Sequence, residues 1–198
     1  GSASVDLRLT EDGGHRLVFS GDIGRSGLPI IRDPDPPAGP IDTLIIESTY
    51  GGKEHESTAE AERRLAEIVK RVAGRGGKIL IPSFAVGRTQ ELVYSLHQLF
   101  RAGEIPNVPI YVDSPLAIDA TTVFRLHPEV FDRREKLLDR TDHVFDFPLL
   151  RYVRDVSESK QLNTAAGPAI IIAACNDVHI RVACCEVDQA ESRCRGGR

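Results

Sequence analysis

The chain has 198 residues, of which 41% are hydrophobic and 27% charged, and its formal net charge is −4. This composition suits one or two globular domains and excludes a disordered or fibrous chain. The negative charge counts against a simple RNA-coating protein, which would carry excess positive charge, but it leaves room for an enzyme with a local basic groove.

No apolar run in the sequence is long enough to cross a membrane, and no signal peptide is visible near Gly1. We therefore expect no membrane partner and a cytoplasmic location. The chain contains no methionine and begins at Gly1-Ser2, which leads us to expect a fragment or a processed chain.

The first forty residues predict antiparallel strands. Residues 4–9 alternate between polar and apolar side chains, and residues 16–24 predict a second strand that ends in a Gly-Asp-Ile-Gly sequence. Residues 28–40 contain five prolines and predict a surface connection. Residues 43–46 form a short apolar run, which predicts a strand covered on both faces.

From residue 43 onward, strand and helix patterns alternate, which predicts βαβ units, a parallel sheet and a domain boundary near Gly51. Ser57, with Glu60 three residues later, predicts a capping box at the start of a helix. The predicted helices cover residues 57–73, 89–100 and 118–126, the predicted buried strands cover 78–81, 109–112 and 169–173, and helical or irregular structure is expected between 127 and 160.

Polar loops follow three of the predicted strands, and ligands bind where the strands of α/β sheets end. Glu47 follows the first, where it either caps its loop or enters a site. Residues 81–89 offer a hydroxyl, backbone amides and Arg88 to a phosphate. Ser114 lies in the third loop, so the sequence predicts a cleft at one sheet edge. Asp22, between glycines, is placed to reach a metal, although Gly-Asp-x-Gly is also a common turn.

The histidines and cysteines do not form an evident metal motif. The six histidines show no HxH or HExxH pair, and the sequence has no GxSxG nucleophile elbow. His55 lies close enough to Glu47 to share a cleft, whereas His97 is expected to be a surface or packed residue. All four cysteines lie in the last 24 residues, without zinc-ribbon spacing, and are interpreted as an incidental tail.

Five segments in this order resemble the β-CASP branch of the metallo-β-lactamase superfamily: FSGDIGR, LIIESTYGGKEH, GGKILIPSFAVGRTQELVYSL, IPNVPIYVDSPLA and GPAIIIAA. That branch includes RNase J-like enzymes and pre-mRNA 3′-end endonucleases. The resemblance implies an α/β fold, with a β-CASP domain over residues 51–174, its parallel sheet flanked by helices. A partial metallo-β-lactamase (αββα) edge over residues 1–50 would precede it, and an atypical tail over 175–198 would follow it.

The resemblance also implies residue roles. Asp22 matches an aspartate that bridges two zinc ions, and Glu47 matches the acidic residue of the first β-CASP motif, so both are expected to be catalytic and Asp22 to bind metal. In the family, two zinc ions polarise a phosphodiester and generate hydroxide. The residues expected to line the RNA cleft are Ser48, Thr49, Tyr50, Ser83, Arg88 and Ser114.

The resemblance implies an incomplete metal site. The family's HxHxDH motif would precede Gly1, and its later histidines would follow residue 174. Asp22 alone cannot bind two zinc ions, because zinc sites need three or four ligands. If the codons of residues 176–180 are AAC GAT GTG CAC ATC, a one-base shift would give a family-like turn, so our hypothesis is that residues from about Cys175 are a frameshifted tail.

Three functions therefore stay open. The parent is expected to be a zinc-dependent, RNA-processing hydrolase that cleaves phosphodiesters. The chain itself is alternatively a non-catalytic RNA-binding fragment, which would bind RNA in a salt-sensitive manner without zinc. A further alternative is another hydrolase activity, such as ester cleavage. RNA is the expected partner, a homodimer is left open, and the sequence does not decide between exonuclease and endonuclease.

Overall fold

The computed structural model describes residues 3–11, 14–24, 26–127 and 144–174. These ranges contain strands β1 (Val5–Leu9), β2 (His15–Phe19), β3 (Thr43–Ile45), β4 (Lys78–Ser83), β5 (Ile110–Asp113), β6 (Leu150–Val153) and β7 (Ala169–Ala174), and helices α1 (Thr58–Gly74), α2 (Arg88–Arg101), α3 (Pro115–Leu126) and α4 (Val156–Thr164). None of these helices has the length and apolar character that crossing a membrane requires. The tail over 175–198, with its four cysteines and its proposed frameshift, lies outside the described residues.

The first sheet is a hairpin extended by one parallel strand. Strands β1 and β2 pair antiparallel, as the alternating pattern predicts, and β3 pairs parallel with β2. The parallel four-stranded sheet therefore begins at β4, and the prediction that residues 43–46 belong to it is wrong. The prediction that this run is covered on both faces is also wrong for the described structure, because Leu44 and Ile45 are about half exposed.

The second sheet has the strand order β4-β7-β5-β6, and every pair in it is parallel. This confirms the predicted parallel sheet flanked by helices. Strand β7 is central because its apolar run can be buried on both faces: Ile170 and Ile172 lie in the main core, and Ile171 packs with Leu162 of α4 on the other face. Strand β4 is an edge strand, and the prediction of a buried strand holds for one face only, since Leu80 is 62% exposed.

Helix α1 begins as its sequence predicts. The Ser57 side chain accepts a hydrogen bond from the Glu60 amide at 3.2 Å, which satisfies one of the amides that lack a partner within the first turn. The Glu60 carboxylate is engaged by Arg63 one turn further on. Ala66, Val69 and Val72 form the buried face of the helix.

Residues 150–153 form β6, a strand that the sequence pattern did not predict. Leu150 and Val153 are buried in it, and its register with β5 places Val153 beside Asp113. The strand has four residues, too few for the period-two alternation to be recognised.

The proline-rich connection over residues 28–40 is not wholly a surface segment, which corrects the prediction made for it. Ile30 is 1% exposed and belongs to the same core cluster as Ala66 and Val69. One isoleucine therefore attaches this connection to the helices of the parallel sheet.

Candidate functional site

The ends of β2 and β3 are held together by Ser20. Its amide donates to the Ile45 carbonyl at 2.9 Å, and its side-chain oxygen accepts from the Glu47 amide at 3.0 Å. The Glu47 carboxylate then accepts a hydrogen bond from the Ile23 amide at 2.6 Å. Glu47 thus lies beside the turn that carries Asp22, although Ile23 of that turn and Glu47 are 24 residues apart in sequence.

Two donors keep Glu47 ionised. The Thr49 hydroxyl donates to the second carboxylate oxygen at 2.7 Å. This bond, followed by the Ile23 amide, holds the pKa of Glu47 below its ordinary value. A carboxylate that accepts hydrogen bonds in its charged form is a poor proton donor. At neutral pH Glu47 therefore fixes the Gly21–Gly24 turn rather than supplying a proton.

The loop after Glu47 is compact. The Gly51 amide donates to the Ser48 carbonyl at 2.9 Å, and the Lys53 amide donates to the Tyr50 carbonyl at 3.1 Å. Tyr50 is 61% exposed, and its ring meets that of His55 edge-on at a centroid distance of 4.8 Å. Ser48, Thr49 and Tyr50 are all exposed, but the Thr49 hydroxyl is engaged by Glu47, so Ser48 and Tyr50 are the predicted cleft residues of this loop that are open to a ligand.

The described residues do not form a metal centre by themselves. Over residues 3–11, 14–24, 26–127 and 144–174, no group of three or more His, Cys, Asp or Glu side chains is placed to hold a metal ion. Zinc needs three or four protein ligands in a structural site and at least three in a catalytic one. Asp22 and its neighbours in the described chain therefore do not fit a zinc site, and no catalytic step through zinc is derived from them.

The loops that follow β4 and β5 meet at the carboxyl edge of the parallel sheet. Ser83 pairs in register with Ala174 of β7, and Asp113 pairs with Ala173 of the same strand and with Val153 of β6. The expectation that residues 81–89 and Ser114 share one edge agrees with this geometry. The expectation that the Glu47 loop joins them at that edge is wrong, because Glu47 follows a strand of the other sheet.

Gln90 ties the two carboxyl-edge loops together. Its side chain is fully buried, and its amide nitrogen lies 3.1 Å from the Ala85 carbonyl, 3.3 Å from the Ala117 carbonyl and 2.9 Å from the Thr121 hydroxyl. The loop after β4 and the first turn of α3 are therefore neighbours held by one buried side chain.

Ser83 and Ser114 are both 7% exposed and both take part in the local fold. The Ser83 hydroxyl lies 3.3 Å from the Phe84 carbonyl and 3.2 Å from the Thr89 hydroxyl, so it is hydrogen-bonded within the protein. Ser114 caps α3 by accepting from the Ala117 amide at 3.2 Å. These contacts give each hydroxyl a structural role, and their predicted contacts with RNA stay predictions.

Arg88 is the cation of the loop after β4. Its side chain is 62% exposed and forms an ion pair with Glu91 at 2.8 Å. The amides of Arg88 and Thr89 already donate to the Val86 and Phe84 carbonyls. For a phosphate, this loop therefore offers the guanidinium of Arg88 rather than these two amides.

Arg154 is a carboxyl-edge residue that sequence reasoning missed. It directly follows β6, its side chain is 56% exposed, and it pairs with Asp119 at 2.7 Å. Recognising β6 as a strand would have placed Arg154 at a strand end. Exposed ion pairs of this kind contribute about 0–1 kcal/mol, so an incoming phosphate competes readily with Asp119.

Residues 89–180 match the Beta-Casp domain. Together with the parallel sheet and its flanking helices, this shows that the chain carries a β-CASP domain. The resemblance seen in the sequence is thereby confirmed.

The names of the matching relatives refer to RNA cleavage or to transcription termination. It is 34% identical over 175 residues to a ribonuclease of Thermus thermophilus, a match that covers 87% of this chain and 39% of the relative. It is 34% identical to the transcription termination factor FttA of Methanothermobacter thermautotrophicus and 31% identical to the endoribonuclease YSH1 of Kluyveromyces lactis, covering 87% of this chain each time and 27% and 22% of the relatives. The chain thus spans less than two fifths of the length of these curated relatives.

Proposed function

We propose that this chain is the β-CASP-bearing part of an RNA-processing hydrolase and that it binds RNA at the carboxyl edge of its parallel sheet. The observation that carries the proposal is the match to relatives named as a ribonuclease and an endoribonuclease over 87% of the chain.

In the proposed enzyme, zinc would supply the hydrolytic chemistry. Asp22 would be one of its ligands, and the other ligands would have to come from residues outside the described ranges. The chain's own residues contribute position and charge. Glu47 holds the Asp22 turn through the Ile23 amide. Arg88 and Arg154 follow the two outermost strands of the second sheet, which ordinary strand spacing puts about 14 Å apart, so they frame the edge at which a phosphate chain would lie.

Zinc content measured together with RNA cleavage tests this proposal. Because the described residues do not complete a zinc site, we expect this chain by itself to show no chelator-sensitive cleavage. In a protein that supplies the remaining ligands, Asp22→Asn should lower both the bound zinc and the cleavage of single-stranded RNA. Asp35→Asn is the matched control, because it makes the same change of charge at an exposed position in the proline-rich connection. Unchanged zinc and cleavage in the Asp22 variant of that protein would remove Asp22 from the site. A wild-type protein that has the remaining ligands but neither binds zinc nor cleaves RNA would overturn the hydrolase proposal.

A second candidate function is RNA binding without catalysis, favoured because the described residues hold no group of three metal ligands. Binding through arginine–phosphate contacts weakens steeply with salt, since counterions are released on binding. This candidate predicts salt-sensitive RNA binding that persists in the presence of chelator. Binding that vanishes with chelator would reject it.

A further inference from the structure

Phe84 stands out among the Phe and Tyr side chains in the part of the chain that the structure describes. It is 73% exposed, more than any other, and it lies in the loop between β4 and α2. A single exposed apolar residue is ordinary and calls for no explanation. The surroundings of Phe84 are what point to a ligand.

The backbone of Phe84 is fixed by buried side chains. Its carbonyl accepts from the Thr89 hydroxyl at 2.8 Å and from the Thr89 amide at 3.2 Å, and Thr89 is fully buried. The next residue, Ala85, is 3% exposed and its carbonyl accepts from the buried Gln90. These hydrogen bonds fix the loop in a conformation that exposes the ring to solvent. Burying the ring instead would contribute about 2 kcal/mol, so the exposure has a cost.

Other apolar groups and a cation accompany the ring. Val86 is 50% exposed two residues further on, and Leu116 is 47% exposed in the first turn of α3. The two loops are adjacent, because Gln90 bonds both the Ala85 and the Ala117 carbonyls. The exposed guanidinium of Arg88 belongs to the first residue of α2, four residues after Phe84 in sequence. Proteins that bind single-stranded nucleic acids combine exposed aromatic rings, on which bases stack, with cations that contact the phosphates.

We propose that Phe84 is a stacking platform for an unstacked base of single-stranded RNA, at the carboxyl edge of the parallel sheet. This inference rests on the proposed function and refines it by naming the form of RNA that the edge accepts. Arg88 would hold the phosphate beside the stacked base. A double-stranded RNA, whose bases are already stacked, would not use the ring.

The chain has no tryptophan, so Phe84→Trp introduces a single indole reporter at the platform. We expect a single-stranded oligoribonucleotide to quench its emission, and an abasic oligomer of the same length to bind more weakly and without quenching it. Phe84→Leu keeps an apolar side chain but removes the ring, and should weaken RNA binding about 5- to 150-fold, the range for loss of one stacked base. Phe84→Tyr should retain binding. Leu126→Ala, at a residue 70% exposed at the far end of α3, is the matched control and should leave affinity unchanged.

The outcomes separate the platform from the function on which it rests. RNA and abasic oligomers that bind alike, with no effect of Phe84→Leu, would leave RNA binding in place and overturn the stacking platform. Loss of thermal stability in Phe84→Leu without loss of RNA affinity would identify the ring as a packing contact, which also overturns it. Failure of the wild-type chain to bind any oligomer would overturn both proposals.

Discussion

At the scale of single residues, the candidate site depends on Ser20, whose hydroxyl accepts from the Glu47 amide and so holds Glu47 beside the turn that carries Asp22. Asp22 and Glu47 were each predicted at a strand end, and both lie there. Their proximity was not predictable from spacing, because it depends on β2 pairing with β3 and on Ser20 joining the two strand ends. A serine at a strand end serves equally well as a ligand or as a cap, so the burial of Ser83 and Ser114 could not be inferred from residue type.

The carboxylate of Glu47 gives a prediction about pH. The Thr49 hydroxyl and the Ile23 amide lower its pKa in the folded chain from an ordinary value of 4.5. A lowered pKa means that the ionised form stabilises the turn fully above that ordinary value, and that this contribution is lost as the pH falls through the lowered pKa. We expect the amide resonance of Ile23 to shift with the titration of Glu47 as the pH falls below 4.5.

Two variants check this assignment by NMR. Glu47→Gln should abolish the acid titration seen at the Ile23 amide, since the amide side chain does not ionise. Glu54→Gln, at an exposed glutamate of the following loop, should leave the titration intact. An Ile23 amide that titrates equally in the Glu47 variant would show that another acid controls the turn.

At the scale of elements, the length and composition of each segment decided how well it was predicted. Helix α1 has a clear cap and stripe over 17 residues, and its start was predicted within one residue. Strand β7 combines six apolar residues that only a position covered on both faces can bury. Strand β6 has only four residues, and it is recognised as a strand by its parallel pairing with β5, since its own sequence pattern is too short. Short elements of this kind are defined by their neighbours.

Helix α3 allows the structural role of Ser114 to be tested. Its hydroxyl caps the helix through the Ala117 amide, so Ser114→Ala should lower the free energy of unfolding by about 1 kcal/mol. Thr122→Ala removes a hydroxyl from the middle of the same helix, where alanine is the better helix former, and should cause no loss. Urea denaturation compares the two. Equal stability of both variants would show that Ser114 contributes little as a cap and would leave its hydroxyl available for the predicted RNA contact.

At the scale of the whole molecule, the α/β class and the parallel sheet followed from the alternation of strands and helices. The strand order did not, because β7 comes last in the described chain yet lies between β4 and β5. The extent of the parallel sheet was overestimated at its start, since a short apolar run such as residues 43–46 suits either sheet. The domain boundary near Gly51 stays a prediction, and Ile30 is the residue that bears on it most directly.

Ile30 precedes that boundary in sequence, but its side chain is buried in the core of the second unit, together with Ala66 and Val69 of α1. If this contact is part of the parallel-sheet unit, Ile30→Ala should lower the free energy of unfolding by about 2–5 kcal/mol, since it leaves a cavity at a site that is 1% exposed. Ile31→Ala makes the same change at the adjacent position, which is 44% exposed, and should shift stability by about 0.5 kcal/mol or less. Unfolding followed through the helical signal separates the two variants. Equal, small losses of stability in the two variants would mean that the two predicted units are stabilised independently. A large loss confined to Ile30→Ala would place the start of the second folding unit in the proline-rich connection.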